Sequence, residues 1–154
     1  MKKRLILLVS LTLFAFMIVV IGMAQTRDEF KQKYGPPDAK GRYIVRPNIG
    51  LSIEYEQGQN PSEMVIKPLD SDTANVSNSE KESSNKVMPS DEAEEVLNEL
   101  VPVEKRGRNR NTGNSEFGCT SIDYTEYEQV IINTVKRCEQ QGAGIYSISV
   151  RWKE

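Results

Sequence analysis

The sequence predicts an α+β protein: two short helices packed on antiparallel sheet, in the order helix–strands, linker, helix–strand meander. Three stretches carry that prediction. Tyr43, Val45, Ile49, Leu51, Ile53 and Tyr55 fall on one parity, as in a strand with one buried face. Ala93, Val96, Leu97, Leu100 and Val101 recur at helical spacing and make one apolar stripe. The final run "GIYSISVRWKE" alternates, with Tyr146, Ile148, Val150 and Trp152 on one face and Ser147, Ser149 and Arg151 on the other.

Taken in order, the chain of 154 residues begins with Lys2, Lys3 and Arg4 and an apolar run of 19 residues from 5 to 23. Gly22 and Ala24 stand at −3 and −1 of a cleavage point before Gln25. A basic start, an apolar middle and small residues at those places mark residues 1–24 as a secretory signal peptide. The run also reaches the ~18 residues of a membrane helix, so an uncleaved anchor is the alternative. Either way the basic start stays inside and the remainder is exported, to the periplasm or the extracellular space. No cysteine stands at the cleavage region, which argues against a lipid anchor.

The first block, 25–69, opens with a helix. Thr26 and Glu29 have capping-box spacing, Phe30 and Tyr34 share a face, and Gly35-Pro36-Pro37 stops it. A strand follows over 43–55, with a bend at Arg46-Pro47-Asn48. "EQGQNPS" supplies turn chemistry, and "EMVIKPL" reads as the returning strand with Met64 and Ile66 inward. Residues 70–88, "DSDTANVSNSEKESSNKVM", are too polar to bury an apolar face and are expected to be a flexible linker.

The second block, 89–154, is expected to belong to the same domain. Pro89, Ser90 and Asp91 start a helix, and Pro102 ends it. "EKRGRNRNTGN" is expected to be a basic loop. The stretch "GCTSIDYTEYEQVIINTVKRC" can be read two ways. Tyr127, Val130, Ile131, Thr134, Val135 and Cys138 have helical spacing, but the β-branched residues at 125, 130–132, 134 and 135 favour strands. The strand reading makes the second block one helix and a meander.

Composition limits the chemistry. The chain has no histidine, which removes Ser-His-Asp and Cys-His nucleophiles and every His-ligated metal site. Without the basic start, 17 basic residues face 22 acidic ones, a net of −5. That balance argues against nucleic acid as a partner. Two cysteines, Cys119 and Cys138, have 18 residues between them. In an oxidising compartment such a pair is expected to be a structural disulfide; the spacing is not that of a redox C-x-x-C motif, and two cysteines cannot complete a zinc site. Lys105, Arg106, Arg108 and Arg110 lie close together and are the candidate loop for an anionic ligand or partner, set against the plainer reading of a solvated loop flanked by Glu104 and Glu116. The Tyr and Trp residues mostly share parity with aliphatics and are expected in the core. No cofactor and no metal site are expected.

Two resemblances add to this. "FKQKYGPPD", "YIVRPNIGLSIEY", "MVIKP" and "EVLNELVPVEKRGR" followed by "SVRWK" resemble a group of small exported bacterial hypothetical proteins of the acidobacterial type. That resemblance implies export and no activity. A helix ending in Tyr-Gly-Pro before a small antiparallel sheet is similar to the helix-plus-sheet domains of envelope assembly lipoproteins and β-lactamase inhibitor proteins, which implies a binding role.

The expected function is therefore a non-catalytic binding or interaction module of the cell envelope or extracellular space. Its partner would be another envelope protein or an anionic ligand. A membrane is expected as a partner only if residues 5–23 stay uncleaved. The alternatives are a small hydrolase using carboxylates or Ser/Lys, and an N-terminally anchored structural envelope protein.

Overall fold

A computed structural model describes residues 26–56, 61–69, 87–137 and 143–153. The expected signal segment, Cys138 and most of the expected linker, 70–86, lie outside the described residues, as do 57–60 of the first block's turn.

The first helix, α1 (Arg27–Tyr34), starts as its sequence requires. Thr26 Oγ1 accepts from the Glu29 N–H at 3.4 Å, and the Glu29 carboxylate accepts from the Thr26 N–H at 2.8 Å. Gly35, at φ 81°, ends it and donates its N–H to Lys31 O at 3.0 Å. Phe30 is its buried anchor, set against Tyr34 and Tyr43.

The expected strand over 43–55 is two strands, β1 (Tyr43–Arg46) and β2 (Ile49–Tyr55), paired antiparallel. What the sequence suggests is a bend at Pro47-Asn48 is a full reversal. Parity is kept across it, so Tyr43, Val45, Ile49 and Leu51 all still face the core. β3 (Pro61–Pro68) returns along β2 with Met64 and Ile66 inward.

The chain then comes back at Met88, the last residue of the expected linker. It is 1 % exposed and bridges Ile145 through both backbone groups, at 2.8 and 3.0 Å. α2 (Ser90–Leu100) follows and buries Ala93, Val96, Leu97 and Leu100. The expected basic loop is not a loop. Pro102 begins a single turn, α3 (Val103–Arg106), and after Gly107 the chain runs straight into β4 (Asn109–Phe117). Gly107 sits at φ 76°, and a Cβ there would lie 2.7 Å from Glu128 Cβ, so only glycine suits this corner.

The Gly118–Cys138 stretch is strand. β5 (Thr120–Tyr127) and β6 (Val130–Arg137) pair antiparallel, with Glu128 and Gln129 between them. β7 (Gly144–Trp152) pairs with both β6 and β3. Between Val135 and Lys136 the β7 register slips by one, and Tyr146 is the extra residue. The slip corrects the strict alternation expected from the sequence: Ile145, 1 % exposed, enters the core, and Tyr146 lies half-buried with the Arg137 guanidinium 4.3 Å from its ring centroid.

The seven strands make one sheet in the order β1-β2-β3-β7-β6-β5-β4, antiparallel throughout. The two blocks therefore meet edge to edge along β3 and β7. α1 packs against β1, and α2 packs against β7. The core lies between these helices and the β2–β3–β7–β6 part of the sheet.

Candidate functional site

The registers show where the core face changes character. One transverse row on the helix side reads Leu51, Ile66, Ile148, Thr134, Asp123, Asn114. The next reads Ile53, Met64, Val150, Ile132, Thr125, Thr112. Both rows are apolar as far as β7 and turn polar at β6 and β5. α2 covers the apolar part and stops short of the polar part. The result is a groove of about 360 Å³ between α2 and β5–β6. Leu97, Ile132, Ile145 and Ile148 form its apolar wall; Asn98, Thr125, Tyr127 and Thr134 bring neutral polar groups to it, and Glu94, Asp123, Arg106 and Lys136 bring two charges of each sign.

Arg106 is the buried charge of this groove, at 6 % exposure. The tight turn of α3 folds its side chain back under α2. Its Nε donates to Val101 O at 2.9 Å, one Nη2 hydrogen goes to Asn98 Oδ1, and its guanidinium lies 5.8 Å from the Tyr127 ring centroid. Nη1 makes no hydrogen bond among the described residues, and it is not a sealed-off atom: the one fully buried side-chain polar atom there without a partner is Tyr55 Oη. Arg106 lines the groove, and its Nη1 hydrogens are uncommitted among the described residues.

The other end of the groove holds an ion pair. Lys136 Nζ lies 2.7 Å from Asp123 Oδ2, and Asn114 donates its amide to Asp123 Oδ1. The Lys136 hydrogen bond first, and the Asn114 amide second, hold the Asp123 carboxyl below its ordinary range. Asp123 and Tyr127 are four positions apart on β5, so the two charged ends are about 13 Å apart along the strand.

The four basic residues singled out in the sequence do not form one patch. Arg106 is turned inward. Lys105 is exposed on α3. Arg108 and Arg110 converge instead on Glu128, Arg108 Nη2 at 2.8 Å from Glu128 Oε1, with Arg110 Nη2 on the same oxygen. The Arg108 backbone N–H, then its side chain, depress the Glu128 carboxyl. Glu126 is likewise held low by Lys153 and then by the Tyr124 hydroxyl. No described cysteine is a free thiol; Cys119 follows Gly118 in the β4–β5 turn, and Cys138 lies outside the described residues.

Lys136 and Asn98 are groove residues that sequence reasoning passed over, whereas Asp123 is noticeable there only as one of three nearby acids and Tyr127 only as an expected core aromatic. A signal was present: Thr134 and Lys136 continue the inward parity of Val130 and Ile132, which is odd for a strand buried along its whole length. Among the described residues no three His, Cys, Asp or Glu side chains converge as a metal cluster, and no helix is long and apolar enough to cross a membrane. No family model matches the chain, and no curated protein or solved structure is found similar to it.

Proposed function

We propose that the protein is a non-catalytic binding module of the cell envelope or extracellular space, and that its groove takes the carboxylate of an anionic ligand on Arg106. One observation carries this reading: a guanidinium at 6 % exposure whose Nη1 is uncommitted at the wall of a groove. A charge in that setting costs desolvation, and a carboxylate accepting from Nη1 offsets it. The apolar wall suits an aliphatic body behind the carboxylate. Against a hydrolase stand the carboxylates themselves. Asp123, Glu126 and Glu128 are all pulled down by basic or hydrogen-bonding neighbours, so each stays ionised at neutral pH and none serves as a proton-donating acid.

Titration calorimetry of the exported protein with aliphatic monocarboxylates, and with short peptides ending in a free or an amidated carboxyl group, tests the reading. Binding is expected for the free carboxylates and not for the amidated peptides. Arg106→Lys is expected to weaken it by roughly tenfold or more, because Lys cannot reproduce the planar fork. Lys136→Gln, at the accessible end, checks the groove without touching the buried charge. Equal binding of amidated and free peptides sinks the proposal.

The same reading includes a Cys119–Cys138 disulfide. Cys119 directly precedes Thr120, and Thr120 pairs with Arg137, the last described residue before Cys138 in the chain, which supports this reading. Cys119 is not a free thiol. Intact mass with and without reduction and alkylation tests the pairing, and the same spectrum shows whether the chain starts at Gln25. Two thiols that alkylate without reductant end the disulfide reading, and a mass retaining residues 1–24 favours the anchored alternative.

A further inference from the structure

We infer that β4 is a homotypic interface, along which two copies of this chain pair their β4 strands antiparallel about a two-fold axis through Gly113. β4 is the outer strand of the sheet, and all of its nine residues are exposed. The opposite edge is different: β1 has four residues and α1 packed beside it, whereas β4 has nine and slips in register only at its start, between Asn109 and Asn111. Only β4 offers a long open ladder.

The hairpin fixes which backbone groups that ladder presents. Phe117 and Thr120 flank a two-residue turn, so they exchange hydrogen bonds. By alternation Ser115 and Gly113 also bond inward, to Ile122 and Tyr124. The N–H and C=O groups of Thr112, Asn114 and Glu116 therefore point outward. In an antiparallel joint, outward groups must meet outward groups. Pairing about Gly113 does this, setting Thr112 opposite Asn114 of the second copy and bringing Arg110, the unpaired residue of the irregularity at the start of β4, beside its Glu116.

Side-chain chemistry selects the same register. Symmetry turns Arg110 and Glu116 into two opposite-charge pairs, one at each end of the joint. Asn111 meets Ser115, and the two Gly113 residues meet at the centre, where the backbones approach closest. A Cβ at Gly113 would have nothing within 4 Å in the single chain, so the glycine is not explained by crowding there. Charges on an edge strand ordinarily keep copies apart. Here the two-fold makes them complementary. Arg110 Nη2 bonds Glu128 within its own chain, but the side chain is still 53 % exposed and the rest of its fork stays available. Exposed Phe117, at 69 %, is brought beside Asn109 of the second copy.

This inference is independent of the groove. It is tested by sedimentation equilibrium of the full exported protein from roughly 1 µM to 1 mM, a span reaching weak association. A reversible dimer is expected. Arg110→Glu and Glu116→Arg, made singly, each set like charges opposite twice and are expected to weaken the dimer by about tenfold or more. The double variant R110E/E116R is expected to restore it. Glu128→Gln removes the partner of Arg110 within the chain and is expected to leave the dimer in place, which separates the interface from local support of Arg110. Thr112→Pro deletes an outward N–H without removing a β5 hydrogen bond, and is expected to abolish association while the circular dichroism of the monomer is retained. A chain that is monomeric throughout, or a dimer indifferent to both charge reversals, overturns the inference.

Discussion

Glu99 ties three elements together. Its Oε1 accepts from the Tyr34 hydroxyl at 2.7 Å and lies 2.8 Å from Lys33 Nζ, both on α1; its Oε2 lies 2.8 Å from Arg46 Nη2, on β1. The Lys33 hydrogen bond first, then those of Tyr34 and Arg46, hold its carboxyl down to about 2. A depressed carboxylate stabilises the fold above its unfolded value, near 4.5, and the contribution fades as pH falls toward 2. The side chain is 28 % exposed, so solvent screening reduces the contribution to on the order of 1–2 kcal/mol. Glu99→Gln is therefore expected to lower urea stability by that amount at pH 7. The gap between the two proteins should close between pH 4.5 and pH 2; a gap constant with pH would mean that charge plays no part. Nothing in the sequence marks Glu99 among the acids of α2, because its partners are 53 to 66 positions away. Arg106 was legible as a basic residue but not as a buried one, since its inward turn depends on Val101 O and Asn98.

At the scale of elements, the segments with local signals formed where their residues said. Thr26 and Glu29 cap α1, and Thr26→Ala is expected to cost about 1 kcal/mol, read from the urea midpoint. The apolar stripe of α2 and the inward parity of β2 and β3 are likewise as the sequence has them. Three elements differ for identifiable reasons. Pro47-Asn48 reverses the chain where an extended break would also have kept the parity. β4 carries no apolar face, so no period marks it; it is a strand because β5 supplies its hydrogen bonds. The slip at Tyr146 lies two residues into β7, just past a crowded entry. At Gly144 a Cβ would lie 2.7 Å from Met88 O and 2.8 Å from Val87 Cγ2. Gly144→Ala is expected to part Met88 from Ile145 and raise hydrogen exchange at both amides by tenfold or more, for a loss of about 1.4 kcal/mol. Unchanged protection of those two amides would show that the approach is not tight.

At the scale of the molecule, the seam between β3 and β7 decides how the chain behaves. Ile66 and Ile148 face each other across it, and both are fully buried. Ile148→Ala is expected to cost about 2–5 kcal/mol through lost burial and the cavity left behind. Because the core residues of both blocks share this seam, unfolding of the variant is expected to remain one transition, with tryptophan fluorescence from Trp152 and far-UV circular dichroism coinciding. Two separated transitions would mean that the blocks fold independently.

The amino-acid sequence by itself determined the α+β class, the two main helices with their ends, and the inward faces of most strands. Those properties rest on period, capping and turn residues, which act within a few positions of one another. Tertiary structure alone decided the order of strands, the joining of two blocks into one sheet, the burial of Arg106 and the polar groove between α2 and β5–β6. Each of these depends on residues distant in the chain being brought together. The free energy that selects them is shared across the whole core, and no short run of sequence encodes it.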